Sequence, residues 1–382
     1  MALETAPVSR NPRVVVKTLA IEVIEGPDAG TRFEADSDRL TVGSARGNDL
    51  TLTDPTVSRF HLELGQSQAG VVVSDLESTN GTWFGDVRLE RACVAPGTVL
   101  SVGRTRLRVL DGTDTAVEVC AQDELSGVRG TTAAMLRLMA QVDRLARTNV
   151  AVLLVGESGT GKELVTRALH DRGLRAGKPL VTVDCGALAP SLIASELFGH
   201  EKGAFTGAER QHLGAFERAN GGTLFLDELG ELPSELQPQL LGALERQRFL
   251  RVGGKTEIAV DVRVVSATNR DLRAEVNAGR FRLDLYYRVA IVELRLPPLR
   301  ERADDIPLLV AHFLREAGHA GRIEEVVPVE IMDALKFYRW PGNVRELRNW
   351  VEATLAMGES PKPWGDEPSK DSGVVDSLLD LP

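Results

Sequence analysis

The spacing of apolar positions shifts along this chain, and each shift marks a change of architecture. Between about 14 and 110, apolar residues come in short runs. Val14-Val15-Val16, residues 19–24, Leu40-Thr41-Val42, residues 61–64, 70–74 and 105–109 read as strands. Turn signals separate them: Gly26-Pro27-Asp28-Ala29-Gly30, Asn80-Gly81 and Pro96-Gly97. Many short strands with turns between them predict an all-β sandwich over 18–110. Residues 111–122, opening Asp111-Gly112-Thr113-Asp114, are polar and acidic and predict a linker. From 123 to about 302 strand and helix patterns alternate. Residues 149–155 form a continuous apolar run of buried-strand type, 162–171 have helical spacing, and 180–183, 223–226 and 262–267 are further strands. That alternation predicts a parallel α/β sheet covered by helices. Residues 303–357 carry helical stripes, with Ile306, Leu309, Val310 and Phe313 in one and Ile331, Ala334 and Leu335 in another. Pro341-Gly342 interrupts this pattern, and Asn343 is placed to cap the next helix. The ends, 1–17 and 358–382, are expected to be disordered, the second being rich in Pro, Ser, Gly and acids.

Composition narrows the class. A length of 382 residues suits two or three domains. With 43% hydrophobic and 26% charged residues the chain has the balance of a soluble globular protein. A net charge of -10 argues against broad adhesion to nucleic acid. No apolar run is long enough to span a bilayer, and residues 1–12 have no signal-peptide core. Cys93, Cys120 and Cys185 lack zinc or redox spacing, so a reducing, cytoplasmic setting is expected.

The candidate chemistry lies in the α/β part. Gly156-Glu157-Ser158-Gly159-Thr160-Gly161-Lys162 follows an apolar strand and opens a helix, the setting a P-loop needs. Backbone amides and the helix N-terminus suit phosphate oxygens, and Lys162 adds charge near the β- and γ-phosphates of ATP. The next residue is Glu163, where the general motif has the Ser or Thr that helps hold magnesium. A second strand ends in Asp227-Glu228: Asp227 is expected to hold Mg2+, and Glu228 to orient or deprotonate the attacking water. A third ends in Thr268 and Asn269, placed either to sense the γ-phosphate or simply to turn the chain at the strand end. Arg282 and Arg288 have the fork geometry that suits a developing phosphoryl charge and can be supplied by a neighbouring subunit, with surface salt bridges as the competing reading, and Arg345 can reach nucleotide from the helical part. Between the first two strands lies Gly203-Ala204-Phe205-Thr206-Gly207-Ala208. Two glycines and small side chains around one aromatic predict a mobile loop that presents Phe205 to a partner. A tight turn with Phe205 in the core is the competing reading.

These motifs, in this order and spacing, identify a resemblance. Residues from about 124 to 357 resemble the AAA+ domain of bacterial enhancer-binding proteins, the activators of sigma-54 RNA polymerase. The matching segments are 156–163, 196–208, 221–232, 281–288, 296–302 and 340–347. The resemblance implies that the loop 203–208 contacts sigma-54 and that ATP turnover in a ring, usually a hexamer, remodels the closed promoter complex. It implies arginine-finger roles for Arg282 and Arg288 and a sensor role for Arg345, and it makes Glu163 ordinary. Asp184 stands where the family often has an asparagine that hydrogen-bonds the Walker B glutamate. Ionised Asp184 cannot donate to Glu228, so the hydrolysis gate is expected to be retuned.

The amino-terminal part resembles a forkhead-associated (FHA) domain, through Gly43, Ser58-Arg59-Phe60-His61 and Ser78-Thr79-Asn80-Gly81-Thr82. The resemblance implies phosphothreonine-peptide binding, with Ser58 on the phosphate, Asn80 on the peptide backbone and His61 bracing the loops. Ser44 replaces the arginine common in that family, and Arg46 or Arg59 is placed to supply the charge. No helix-turn-helix is visible after the lid, so direct DNA binding is not expected from this sequence. The resulting reading is a multidomain activator: an all-β FHA sandwich, an α/β AAA+ ATPase domain and a helical lid. It acts as a homo-oligomer on sigma-54 polymerase under phosphorylation control. The alternatives are a phosphopeptide-dependent scaffold with weak ATPase, or a remodeller of another target.

Overall fold

A computed structural model of the chain describes residues 12–67, 70–187 and 189–358. The segments 1–11 and 359–382, expected to be disordered, lie outside the described residues.

Two antiparallel-dominated sheets of six and five strands form the first domain. Leu19, Ile21 and Val23 on one sheet face Leu40, Leu62, Leu64 and Val73 on the other, with Leu100, Leu107 and Val109 completing the core. The period-two alternation read from the sequence turns these residues inward. The linker reading of 111–122 is corrected here. The strand Thr105–Glu118 continues straight through 111–118 and pairs with Arg13–Glu25, so residues 13–17 are strand as well. The pair runs beyond the core as a ribbon, with Val14 opposite Val117 and Val16 opposite Thr115. Its side chains are half-exposed or exposed, which gave it a loop-like composition. Lys17 pairs with Asp111 at 2.8 Å along the ribbon.

The second domain holds a five-stranded parallel sheet. Across it the strands run Leu180–Asp184, Thr223–Asp227, Arg263–Thr268, Val152–Val155 and Val292–Arg295. Their near-continuous apolar runs follow from burial on both faces. Ligands of such sheets collect beyond the carboxyl ends of the strands, and the candidate phosphate loop, Asp227, Glu228, Thr268 and Asn269 all lie there.

Helices Ile306–Glu316, Val329–Phe337 and Asn343–Met357 build the lid around fully buried Trp340, Leu335, Leu347 and Val351. Asn343 is not the cap of its helix. Gly342 occupies that place and no side chain caps the end. Asn343 is the first helical residue, at φ 52°, and its amide is used elsewhere, as described below.

The sandwich rests on the α/β domain through helices Leu272–Asn277 and Leu283–Val289. Phe60 and Leu76 protrude from it and pack into the α/β domain's core rather than their own.

Candidate functional site

The phosphate loop folds as its glycines dictate. Gly159 and Gly161 take φ of +77° and +106°, and the helix Lys162–Asp171 starts directly after them. A Cβ on Gly159 would lie 2.3 Å from the carbonyl oxygen of Gly342, so only glycine lets the lid approach the loop. Lys162 is buried, donates to the Gly156 carbonyl at 2.9 Å and stands 3.7 Å from Glu228. Thr160 Oγ1 donates to the Glu157 carbonyl at 2.8 Å. The lid closes on the same loop. Val344 N–H donates to the Gly159 carbonyl, Asn343 Nδ2 donates to Glu157 and to the Ser158 carbonyl, and Arg345 reaches Ser158 Oγ at 3.0 Å. Glu163 points away and pairs with Arg167 one turn on, at 3.0 Å.

Asp227 and Glu228 emerge beside Lys162. Burial, the largest effect, holds the Asp227 carboxyl above its usual range; Asp184 and Glu163 add repulsion, while the Glu228 amide and Lys162 oppose the shift. Glu228 adopts a left-handed backbone, φ 47° and ψ 47°, and accepts a bond from the Asn269 amide at 3.3 Å. A non-glycine residue held there is the kind of strain that gathers at working sites. Asp184 turns its Oδ1 onto its own loop, accepting from the amides of Gly186 and Ala187 at 2.8 and 3.1 Å. Among the described residues no three His, Cys, Asp or Glu side chains gather to hold a metal. Magnesium commonly binds through one or two carboxylates together with substrate phosphates. A divalent cation at Asp227 would also relieve its buried charge.

Arg282 and Arg288 find their partners away from this loop. Arg282 forms a fork with Asp284 at 3.0 and 2.8 Å, and Arg288 donates to the Leu244 carbonyl at 2.8 Å. Both are exposed. The structure thus gathers Lys162, Asp227, Glu228, Asn269 and Arg345 on one side and leaves the two arginines on an outer face.

The loop 203–208 is a small closed turn on two glycine hinges. Gly203 and Gly207 take φ of +82° and +97°, and an added Cβ on either would meet nothing within 4 Å. Gly203 N–H donates to the Ala208 carbonyl at 2.8 Å, closing the base. Phe205 is 41% exposed and leans its ring edge-on against His200, centroids 4.9 Å apart. The core-turn alternative for Phe205 is therefore not what the structure adopts. The base is braced by residues the sequence reading passed over. Half-buried Arg251 joins Glu217 through two bonds of 2.8 and 2.6 Å and Glu201 through one of 2.8 Å, and Ser195 Oγ lies 2.7 Å from His200 Nδ1.

Comparison with known families decides what this arrangement is. The family model of the sigma-54 interaction domain matches residues 128–295, and that of the AAA+ ATPase lid domain matches 300–362. The chain carries a sigma-54 interaction domain. It is similar to the DNA-binding transcriptional regulator NtrC of Azospirillum brasilense, 52% identical over 235 residues, covering 62% of this chain and 49% of that protein. Transcriptional regulatory protein ZraR of Escherichia coli strain K12 is 50% identical over 233 residues, covering 60% and 53%. The chain thus spans about half the length of the curated relatives it matches. The crystal structure of NtrX from Brucella abortus in complex with ADP superposes with a TM-score of 0.56 at 39% identity, over 64% of this chain and 54% of that one. NtrX has also been solved with ATP. Residues 22–112 match the family described as inner membrane component of T3SS, cytoplasmic domain. No helix among the described residues is long and apolar enough to cross a membrane.

Within the sigma-54 interaction domain and its lid, Arg302 is a further residue that spacing alone does not single out. It is 3% exposed, donates to the Thr160 carbonyl at 3.0 Å, and burial pulls its guanidinium down to about 10. Its Nε and that of Arg129 are buried without a partner. Both line a hollow beside Gly161, Leu164, Phe313 and Val344, at the mouth of the phosphate loop.

The recognition residues expected on the sandwich converge at one end. Ser58 Oγ accepts from the Thr79 amide at 2.9 Å, and Asn80 Nδ2 donates to the Thr56 carbonyl at 2.7 Å. Arg46, Arg59 and Asn80 are exposed there. Ser44 donates to the Val57 carbonyl, tying adjacent loops together. His61 is fully buried beneath them. Its Nδ1 accepts from the Ser58 amide at 3.1 Å, which leaves the proton on Nε2 to donate to the Gly81 carbonyl at 3.1 Å. Burial lowers its pKa, outweighing the Gly81 bond and the carboxylates of Asp75 and Asp54. A lowered folded-state pKa means that the unfolded chain takes up the proton first. Stability is therefore expected to fall as pH drops below about 6.5, the unfolded value, and to level off once the folded histidine titrates. Thermal melts at pH 7.5 and pH 5.5, with His61→Gln as control, measure this. An equal pH dependence in both proteins would remove His61 as the cause.

Proposed function

We propose that this chain is an ATP-hydrolysing activator of sigma-54 RNA polymerase that assembles in the cytoplasm as a ring, the hexamer usual in the family it resembles. One observation supports this most strongly: a phosphate loop with Lys162, Asp227 and Glu228 shares a domain with an exposed, glycine-hinged Phe205, and that domain matches the sigma-54 interaction family. Amides of 156–162 and Lys162 bind the phosphates of ATP. Asp227 would hold Mg2+, which would supply positive charge to neutralise the developing phosphate charge. Glu228 orients and deprotonates water, Asn269 holds Glu228 in place through its amide, and Arg345 reports nucleotide to the lid. Arg282 and Arg288, directed outward, complete the site of the neighbouring subunit. The hollow lined by Arg302 and Leu164 takes the adenine base.

Phe205 and Thr206 touch sigma-54, and hydrolysis moves the loop that carries them. Phe205→Ala is accordingly expected to abolish open-complex formation with sigma-54 polymerase while ATPase stays within about threefold, since an exposed loop tip contributes little to stability. Permanganate footprinting of a supercoiled promoter, run beside phosphate release, measures both. Normal promoter melting by the variant would sink the assignment of this loop.

The sandwich serves as an FHA-type reader of phosphothreonine, supported by Ser58, Asn80 and His61 converging with Arg46 and Arg59 at one end. Titrating the chain with matched phosphorylated and unphosphorylated peptides tests this; no preference for the phosphorylated peptide would leave only a scaffold role.

A further inference from the structure

The contact between the sandwich and the ATPase domain is built around one carboxylate. Glu63 is 8% exposed. Its Oε1 accepts from Arg39 of the sandwich at 2.8 Å and from Arg295 at 2.8 Å, and its Oε2 accepts from Arg273 at 2.9 Å and Arg295 at 2.6 Å. Arg273 and Arg295 also share Glu293, at 3.1 and 2.6 Å, and Arg273 donates to the hydroxyl of Tyr286 at 2.9 Å. Two arginines from the ATPase domain thus share two carboxylates, and one of those carboxylates comes from the sandwich. A buried pair with one partner removed leaves an uncompensated charge.

Arg137 of helix Ala133–Ala146 also pairs with Asp38 of the sandwich at 2.8 Å, and several further contacts clamp the segment that carries Arg273. Asn277 uses its whole amide on the sandwich: Nδ2 donates to the carbonyls of Phe60 and Leu76, and Oδ1 accepts from the Phe60 amide. The Phe60 ring stands edge-on to Tyr286, centroids 5.2 Å apart. Tyr287 donates its hydroxyl to the Arg46 carbonyl. Arg273 and Asn277 precede Arg282 in the chain, while Tyr286 and Tyr287 lie just before Arg288. The segment that carries both outward arginines is therefore pinned by the sandwich on each side of Arg282. Neither arginine is itself held by more than Asp284 or a single carbonyl.

We propose that Glu63 is a positioning residue for ATP hydrolysis: through Arg273 and Arg295 the sandwich sets the placement of Arg282 and Arg288, which act on the neighbouring subunit's nucleotide. This rests on the reading above that the two arginines work between subunits. A displacement of about 1 Å in a group that meets a transition state can cost about 10²-fold in rate. Nucleotide binding within the same chain uses the phosphate loop and is left alone. Glu63→Gln is thus expected to lower kcat for ATP by tenfold or more while KM changes less than about threefold.

A mixed-subunit experiment makes this specific to one side of the interface. Full-length Lys162→Ala chains lack nucleotide binding but offer both arginines. Full-length chains with Arg282→Ala and Arg288→Ala together bind nucleotide but offer no arginine. Mixing the two restores turnover at sites composed of one of each. Adding Glu63→Gln to the arginine-offering chain is expected to cut that restored turnover tenfold or more, and adding it to the nucleotide-binding chain to leave it nearly intact. Tyr287→Phe, which removes one hydroxyl and no packing volume, is expected to show the same side dependence at lower amplitude. Equal effects from either side, in both variants, would overturn the positioning role, because a folding or assembly defect has no side. Failure of the mixture to recover turnover even with native Glu63 would overturn the between-subunit reading instead.

Discussion

Replacing Arg288 or Arg282 with alanine is expected to lower ATP turnover by about 10³-fold, at the low end of the range for arginine fingers. That loss corresponds to about 4 kcal/mol of transition-state stabilisation. Both side chains are exposed, and their contacts within the chain are the Asp284 fork and the Leu244 carbonyl. Their removal should therefore change folding stability by no more than about 0.5 kcal/mol. The catalytic loss then cannot be traced to unfolding. If each site is completed by two subunits, as proposed, turnover by the native chain should rise more steeply than linearly with protein concentration. ATP affinity, measured by a fluorescent analogue, should stay close to native in both variants. Turnover within threefold of native would show that these arginines do not face a nucleotide.

Glu228→Gln is the second large effect. A general base contributes about 10²- to 10⁴-fold, and this substitution removes basicity while conserving volume. The amide oxygen of glutamine can still accept the Asn269 N–H that now meets Glu228 Oε2, so the strand end keeps its shape. The left-handed backbone at 228 is equally available to either residue. ATP should bind with unchanged or tighter affinity and persist unhydrolysed. Single-turnover assays with radiolabelled ATP separate binding from cleavage. Cleavage at more than a tenth of the native rate would assign the water-activating role elsewhere.

Much of the candidate site was legible because its members are adjacent in sequence or end consecutive strands. A phosphate loop needs neighbouring amides, and Asp227-Glu228 need one strand end. The same holds for the hinged Phe205 loop, where local glycine content carries the conformation. Other features depend on residues far apart. Asn343 resembled a helix cap, yet its amide bridges to Glu157 across 186 positions. Residues 111–118 resembled a linker because a ribbon exposed on both faces shows no apolar alternation to read, whereas its partner strand lies about a hundred residues away. Glu63 lies in the strand read at 61–64, but its role depends on Arg273 and Arg295, more than two hundred residues on, which surround it. Arg302 gives no periodic signal at all, because burial of a lone guanidinium leaves no trace in spacing.

The short stretch from Ser58 to His61 has two owners. Ser58 and Arg59 stand at its outer edge, while the residue between Arg59 and His61 is gripped by Tyr286 and Asn277. A ligand that displaces the outer edge would also displace the segment behind it, and thermodynamic reciprocity would make any such coupling symmetrical. If a phosphorylated peptide alters the affinity of the assembled ring for ATP by some factor, ATP alters the affinity for that peptide by the same factor. A labelled peptide would then serve as a gauge of nucleotide occupancy on the far side of the joint.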